Sequence, residues 1–147
     1  MNPESPWLHT PDLIQINRSH QDTAVGQLGI EFISVGANTL TARMPVDSRT
    51  RQPAGLLHGG ASVLLAETLA SCAAWQTIDR SRNSAVGIEI NANHVRGVRD
   101  GWVIGTVTPI HLGRTTQIWE VRIVDNADHL VCVSRATMSI LENSRRS

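Results

Sequence analysis

The feature that most limits how this chain can fold is a long apolar segment, residues 59–78, in which Glu67 is the only acidic or basic side chain. The segment is rich in Ala and Leu and contains no Pro, which predicts a helix over residues 59–77. Its apolar residues lie nearly all around such a helix, so the helix needs cover on most sides. A fold built around this one helix is therefore expected.

The rest of the sequence predicts a β-sheet that could cover the long helix. Thr10 and Pro11 are typical of the cap and first turn of a short helix over residues 11–18. Much of the remaining chain alternates apolar and polar residues or is rich in β-formers, with turns such as residues 36–38 between the runs. These runs cover residues 29–35, 39–46, 85–95, 102–111, 115–125 and 129–141. We expect an α+β protein with an antiparallel curved sheet wrapped around one long central helix.

Length and charge narrow the class of protein. The 147 residues predict one domain, residues 1–147, with frayed ends at residues 1–10 and 142–147. Basic and acidic residues number 13 each, so the formal net charge is zero. Nucleic acid and anionic membranes usually select a basic excess, and neither is expected as a partner.

Targeting signals and cysteine usage indicate a cytoplasmic protein. Residues 1–10 lack the basic start and apolar core of a signal peptide. Glu67 breaks the longest uncharged run, so no membrane span is expected. Cys72 and Cys132 lie in apolar runs without zinc-ligand spacing, which predicts free buried thiols in a reducing compartment.

Glu67 is the first candidate for a catalytic residue. A Glu is rarely buried unless it is paired or used, because apolar surroundings disfavour its charged form. Such acids cluster at active sites, and a carboxylate in this position suits a general base. The alternative is a Glu on a solvent-facing strip of the helix, although its neighbours Leu64, Leu65 and Leu69 are apolar.

The start of the long helix is the second candidate site. His58 precedes Gly59 and Gly60, whose unpaired N–H groups would point outward at the positive end of the helix dipole and suit a developing oxyanion. The alternative is that the glycines only permit a tight entry turn. Eight residues separate Gly59 from Glu67, about 12 Å along a helix, which is too far for both to act on one carbonyl. If both act, the helix start of one subunit must face the Glu of another, in sites shared at a twofold interface.

Three motifs carry a resemblance to a known family, and the likeness covers about residues 25–141. They are DSRTRQPAGLLHGGAS at residues 47–62 followed by Glu67, GIEINANHVR at residues 87–96, and His111-Leu112-Gly113. The sequence resembles the hot-dog-fold acyl-CoA thioesterases of the PaaI-like branch. The 1,4-dihydroxy-2-naphthoyl-CoA thioesterases and the 4-hydroxybenzoyl-CoA thioesterases that keep Glu on this helix are the most similar groups within it.

The resemblance implies a role for each matching residue. Glu67 is the nucleophile or the general base that activates water, and the Gly59 N–H polarises the thioester carbonyl. Gln52 and His58 line the same pocket, and Ser71 matches a small polar position near the acyl group or the attacking water. Contacts with coenzyme A (CoA) are implied for Gly87, His94, Val95, Arg96, Gly97, His111, Leu112, Gly113, Arg114, Thr115 and Thr116.

Arg114 also fits a CoA site physically, because a guanidinium binds phosphate well. For several of these residues the alternative is structural: His94 as a strand residue, Arg96 as part of a solvated edge, and His111 as the residue that fixes its turn. Residues 1–25 differ from what the family leads us to expect, so their part in lining the acyl pocket is open.

The implied reaction is hydrolysis of an acyl-CoA, with an aryl group favoured by the resemblance alone. No metal is expected, since His58, His94 and His111 have no ligand spacing, and no cofactor is needed beyond the CoA of the substrate. The family usually builds dimers with shared sites that pair into tetramers. The alternatives are a hot-dog hydratase or dehydratase of acyl thioesters, and a non-catalytic acyl-CoA-binding module.

Overall fold

The computed structural model describes residues 5–143. Three helices and six strands make up this part of the chain. They are α1 (Leu13–His20), α2 (Ala24–Gln27), β1 (Glu31–Val35), β2 (Leu40–Pro45), α3 (Gly59–Gln76), β3 (Asn83–His94), β4 (Trp102–Leu112), β5 (Thr116–Asp125) and β6 (Leu130–Glu142).

The strands form one antiparallel sheet in the order β1-β2-β4-β5-β6-β3. Its register places Gly87, Met138, Gln117 and Leu112 in one cross-strand row. A second row, further along β3, holds His94 and continues through Cys132, Ile123 and Gly105. β3 lies at one edge, so only β6 pairs with it among the described strands.

The helix α3 packs on the inner face of the sheet, where Leu65 and Leu69 are fully buried. Gly105 of β4 makes room for them, because a Cβ at that position would lie 2.7 Å from Leu69 Cδ1. Trp119 of β5 is also fully buried in this core. The expected architecture, a curved antiparallel sheet around one long helix as in the hot-dog fold, is confirmed.

The amino-terminal segment differs from the prediction. Trp7 stacks on Trp119 with ring centroids 6.3 Å apart, and the backbone N–H of Leu8 donates to Gln76 O at 2.9 Å. Residues 5–10 are therefore held against the core, where a frayed end was expected; residues 1–4 lie outside the described part. The cap of α1 is Asp12 and not Thr10, because its carboxylate accepts from two backbone N–H groups, those of Ile14 and Gln15.

At the other end, Glu142 is the last residue of β6 and pairs with Asn83. It is therefore an ordered strand residue, where a frayed end over residues 142–147 was expected. Residues 144–147 lie outside the described part of the chain. The short helix α2 was not predicted from the sequence at all. Within residues 5–143, no helix is long and apolar enough to cross a membrane. Cys72 and Cys132 are free and buried, as predicted.

Candidate active site

The loop between β2 and α3 is held in place by Thr50, which is 1% exposed. Its Oγ1 donates to Pro45 O at 2.7 Å and accepts from the Asp47 N–H at 3.1 Å. Its carbonyl accepts from the His58 N–H at 2.8 Å. These bonds fix where the loop presents Gln52 and where the helix begins.

His58 caps α3 with its ring, since Nδ1 accepts from the Gly60 N–H at 2.8 Å. The prediction of two bare glycine N–H groups is therefore wrong for Gly60. The Gly59 N–H donates to no acceptor in residues 5–143 and stays available at the positive end of the helix dipole. The ring of His94 packs on Gly59, because a Cβ there would lie 2.9 Å from His94 Nε2.

A cavity of about 380 Å³ opens beside this helix start, and we call it the amide cavity. Gln52 and Gly59 line it together with the segment His94–Gly97. The Gln52 side-chain carbonyl accepts from the Ala54 N–H, which leaves its NH₂ group as a donor. The structure thus brings together six predicted site residues: Gln52, Gly59, His94, Val95, Arg96 and Gly97.

Glu67 lies elsewhere on α3, and the prediction that it is buried is wrong for the single chain. The residue is exposed on a strip of the helix that the sheet leaves uncovered, with Leu64 and Thr68 beside it. The strip was not apparent from the sequence because its other members are small or apolar.

The strip borders a second cavity of about 640 Å³, which we call the carboxylate cavity. Glu67 and Ser71 line it, as the resemblance implied that they share a pocket. Cys72 also lines it, and burial raises the pKa of its thiol to about 11, so the thiol stays protonated at neutral pH. Glu67 also carries a carboxylate into this cavity, and a carboxylate can activate water or attack a carbonyl.

The remaining lining of the carboxylate cavity was missed by the sequence reasoning. Residues of α1 and α2 form its far wall, and they lie outside the three sequence motifs. They are Gln15, Ile16, Ser19, His20 and Val25. No motif marks them. Trp75 lines the cavity as well.

Gly87 of β3 lies against the Glu67 carboxylate. A Cβ at Gly87 would lie 2.6 Å from Glu67 Oε1, which is closer than atoms approach without displacement. A bulge in the β3–β6 register falls between Gly87 and Glu89. A side chain at Gly87 would therefore displace the carboxylate from its observed position.

We expect Gly87→Ala to lower kcat for thioester hydrolysis by about 10–10²-fold, because a displacement of the carboxylate by about 1 Å misaligns the reacting groups. The measurement is steady-state kinetics of the single variant and of Gly87→Ala combined with Glu67→Gln. The double variant should lose no more than Glu67→Gln alone, as residues that act through one group are not additive. Additive losses would contradict the assigned contact.

The segment His111–Thr116 comprises the end of β4, the turn at residues 113–115 and the first residue of β5. The Gly113 N–H donates to Thr116 O at 2.9 Å, and the His111 ring lies over Gly113, where a Cβ would be 2.6 Å from Nε2. His111 thus helps to fix the turn, which was the structural alternative for it. Arg114 and Thr115 at the tip are exposed. Leu112 belongs to the cross-strand row of Gly87, so this turn lies at the Glu67 end of the sheet.

The predicted residues therefore form two groups in the single chain. Gly59 and His94 mark one group, and Glu67 and Gly87 mark the other. Eight residues of α3 separate the groups by about 12 Å, and seven residues of β3 by roughly 23 Å. Among residues 5–143 no group of three or more His, Cys, Asp and Glu side chains is arranged to hold a metal ion.

Comparison with known proteins identifies the family. The sequence profile of the thioesterase superfamily matches residues 54–132. The chain is 47% identical over 135 residues to the 1,4-dihydroxy-2-naphthoyl-CoA hydrolase of Escherichia coli, covering 92% of this chain and 98% of that protein. It is 45% identical over 135 residues to the proofreading thioesterase EntH of Cronobacter turicensis, with the same coverage of 92% and 98%.

Solved structures show the same relationship. The crystal structure of a mutant thioesterase from Pseudomonas aeruginosa matches with a TM-score of 0.93 and 47% identity, covering 95% of this chain and 100% of that chain. A thioesterase from Haemophilus influenzae matches with a TM-score of 0.91 and 44% identity, covering 95% and 97%. The chain therefore belongs to the thioesterase superfamily and is a thioester hydrolase with the hot-dog fold.

Proposed function

We propose that the chain hydrolyses an aryl-CoA thioester to a carboxylic acid and free CoA, with Glu67 as its catalytic carboxylate. The observation that carries the proposal is the exposed Glu67 carboxylate at the wall of a cavity of about 640 Å³, a volume in the range of small-molecule sites. Its lining mixes apolar groups such as Leu64 and Trp75 with polar ones such as Gln15, which suits a ring with polar substituents.

The proposed chemistry uses the two groups of site residues together. Gly59 N–H donates to the thioester carbonyl oxygen and stabilises the negative charge that forms there. Glu67 either takes a proton from water, whose oxygen attacks the carbonyl carbon, or attacks that carbon itself to give an anhydride that water then opens. In both cases the carbon–sulfur bond breaks and the electron pair leaves with the CoA sulfur, which takes up a proton.

A site that uses both groups requires two copies of the chain, and β3 offers a way to join them. It is an edge strand of 12 residues on which Val86 and Ile88 are 42% and 63% exposed. Antiparallel pairing with β3 of a second copy about a twofold axis near residues 90 and 91 would place Gly87 opposite His94 of the other chain.

Because Glu67 contacts the Gly87 position and His94 packs on Gly59, this pairing would bring the carboxylate of one chain to the helix start of the other. Each pair of chains would then hold two shared sites. We propose this homodimer as the smallest active unit, and a dimer of dimers as its further assembly.

Binding of the CoA part is proposed for residues with free polar or cationic ends. Arg96 lines the amide cavity, and Arg114 is exposed at the tip of the β4–β5 turn with Thr115 beside it. Guanidinium and hydroxyl groups of this kind suit the phosphates of CoA. The proposal needs no metal and no cofactor besides the CoA that the substrate carries, and two free buried thiols support a reducing, cytoplasmic location.

A panel of CoA thioesters tests the proposal. The purified protein should release free thiol from hydroxyaryl- and benzoyl-CoA with kcat/KM at least about tenfold above that for straight-chain fatty acyl-CoA. Hydration of an enoyl-CoA should be absent. Hydration without thiol release would favour a hot-dog hydratase, and binding of every thioester without turnover would favour an acyl-CoA-binding module.

A further inference from the structure

Ser62 carries a buried hydroxyl that the protein does not satisfy. The residue is 1% exposed, and its Oγ is the one buried side-chain nitrogen or oxygen without a hydrogen-bond partner in residues 5–143. Ser134, equally buried at 1%, shows the usual arrangement, since its Oγ donates to Asn91 O at 2.8 Å. A buried hydroxyl without a partner destabilises the folded state, so native proteins seldom keep one without a reason.

The ordinary partner for a serine in a helix is the carbonyl four residues earlier. For Ser62 that is His58 O, which already accepts from the Ala61 N–H at 3.0 Å and the Ser62 N–H at 3.2 Å. Alanine would remove the unpaired hydroxyl and is the better helix former. Stability therefore favours alanine at this position, and the hydroxyl calls for another explanation.

The position of Ser62 supplies one. It lies three residues after Gly59, on the same face of α3, and helix side chains lean toward the helix start. Ser62 and Gly59 both line the amide cavity of about 380 Å³. The Gly59 N–H and the Ser62 O–H are thus two unused donors, one helical turn apart, beside the same cavity. Rotation about the Cα–Cβ bond of Ser62, between staggered positions, turns its hydroxyl toward a ligand.

We infer that Ser62 is a further catalytic residue, whose hydroxyl donates to the thioester carbonyl oxygen beside the Gly59 N–H. This inference rests on the proposed hydrolysis of a CoA thioester. The carbonyl oxygen gains negative charge when the tetrahedral intermediate forms, so the hydrogen bond strengthens as the reaction proceeds. The Ser62 hydroxyl then has a hydrogen-bond acceptor only when substrate is bound.

The test is Ser62→Ala, measured by steady-state kinetics with the best thioester of the panel and by thermal unfolding. We expect kcat to fall by about 10–10²-fold, the scale for loss of one donor to an oxyanion. KM should stay within about threefold, because the bond forms mainly in the transition state. The melting temperature should rise by about 2–4 °C, since the variant loses an unsatisfied polar group.

Ser134→Ala is the matched control. It removes a buried serine hydroxyl that is satisfied, so it should lower the melting temperature and leave kcat unchanged. Wild-type kcat in Ser62→Ala would overturn the inference, and so would a loss of kcat that comes with a lower melting temperature. If wild-type protein releases no thiol from any CoA ester, the proposed function itself fails; if only the Ser62→Ala result fails, that function stands.

Discussion

Replacing Glu67 with Gln is expected to lower kcat for thioester hydrolysis by about 10²–10⁴-fold, the usual scale for loss of a catalytic base. Gln keeps the shape of the side chain but cannot take a proton or attack a carbonyl. The side chain is exposed in the single chain, so the melting temperature should change little. Thiol release followed by a colorimetric thiol reagent measures kcat, and calorimetric titration with CoA measures whether the product is still bound.

Glu142→Gln is the control for this variant. Glu142 is an exposed glutamate at the end of β6, with no place in the proposed site, so the substitution removes the same charge without affecting catalysis. Turnover at the wild-type rate in Glu67→Gln would rule out the carboxylate as the catalytic group. Loss of CoA binding together with activity would show instead that Glu67 acts in binding.

Mixed oligomers should be more active than either parent variant. A chain with Glu67→Gln keeps an intact helix start, and a chain with Gln52→Ala keeps an intact carboxylate. If each site takes Gln52 from one chain and Glu67 from the other, a mixed pair holds one intact site and one doubly altered site. Pairs isolated through two different affinity tags should show about half of wild-type kcat per pair, against losses of about tenfold or more in each parent.

The geometry of the fold makes this a sharp test. The amide cavity and the carboxylate cavity share no lining residue, although both lie along α3. A site contained in one chain would leave every mixed pair as inactive as its parents. The control is a pair of differently tagged chains that both carry Glu67→Gln, purified in the same way. Such a pair has no intact carboxylate, so any activity above that of the parent would come from contaminating wild-type chains.

The sequence alone predicted the long elements well, for a physical reason. The helix over residues 59–77 ends at Gln76, and each predicted strand begins and ends within two residues of the observed one. Such segments are long and strongly patterned, so tertiary contacts and local preference agree. The short helix α2 and the cap of α1 depend on single polar side chains that several positions could supply.

The exposure of Glu67 could not be predicted from the sequence. Small and apolar residues surround it along the chain, so every face of α3 looked suited to cover, whereas the sheet covers one side only. Likewise, the contacts of Gly87 with Glu67 and of His94 with Gly59 depend on how β3 runs beside α3, a long-range register that no local pattern shows. The roles of these residues in catalysis and CoA binding remain predictions.

The outer position of α1 has a consequence for how this enzyme could diversify. The helix borders the carboxylate cavity but takes no part in the sheet; the Asn17 amide anchors it, donating to Phe32 O and accepting from the Phe32 N–H at 2.9 and 2.8 Å. Side chains on its cavity face, such as Gln15, can therefore be exchanged without repacking the central helix or shifting the proposed catalytic carboxylate. Selection for a new acyl group can therefore change the cavity face of α1 while the sheet, the central helix and the proposed hydrolysis stay the same.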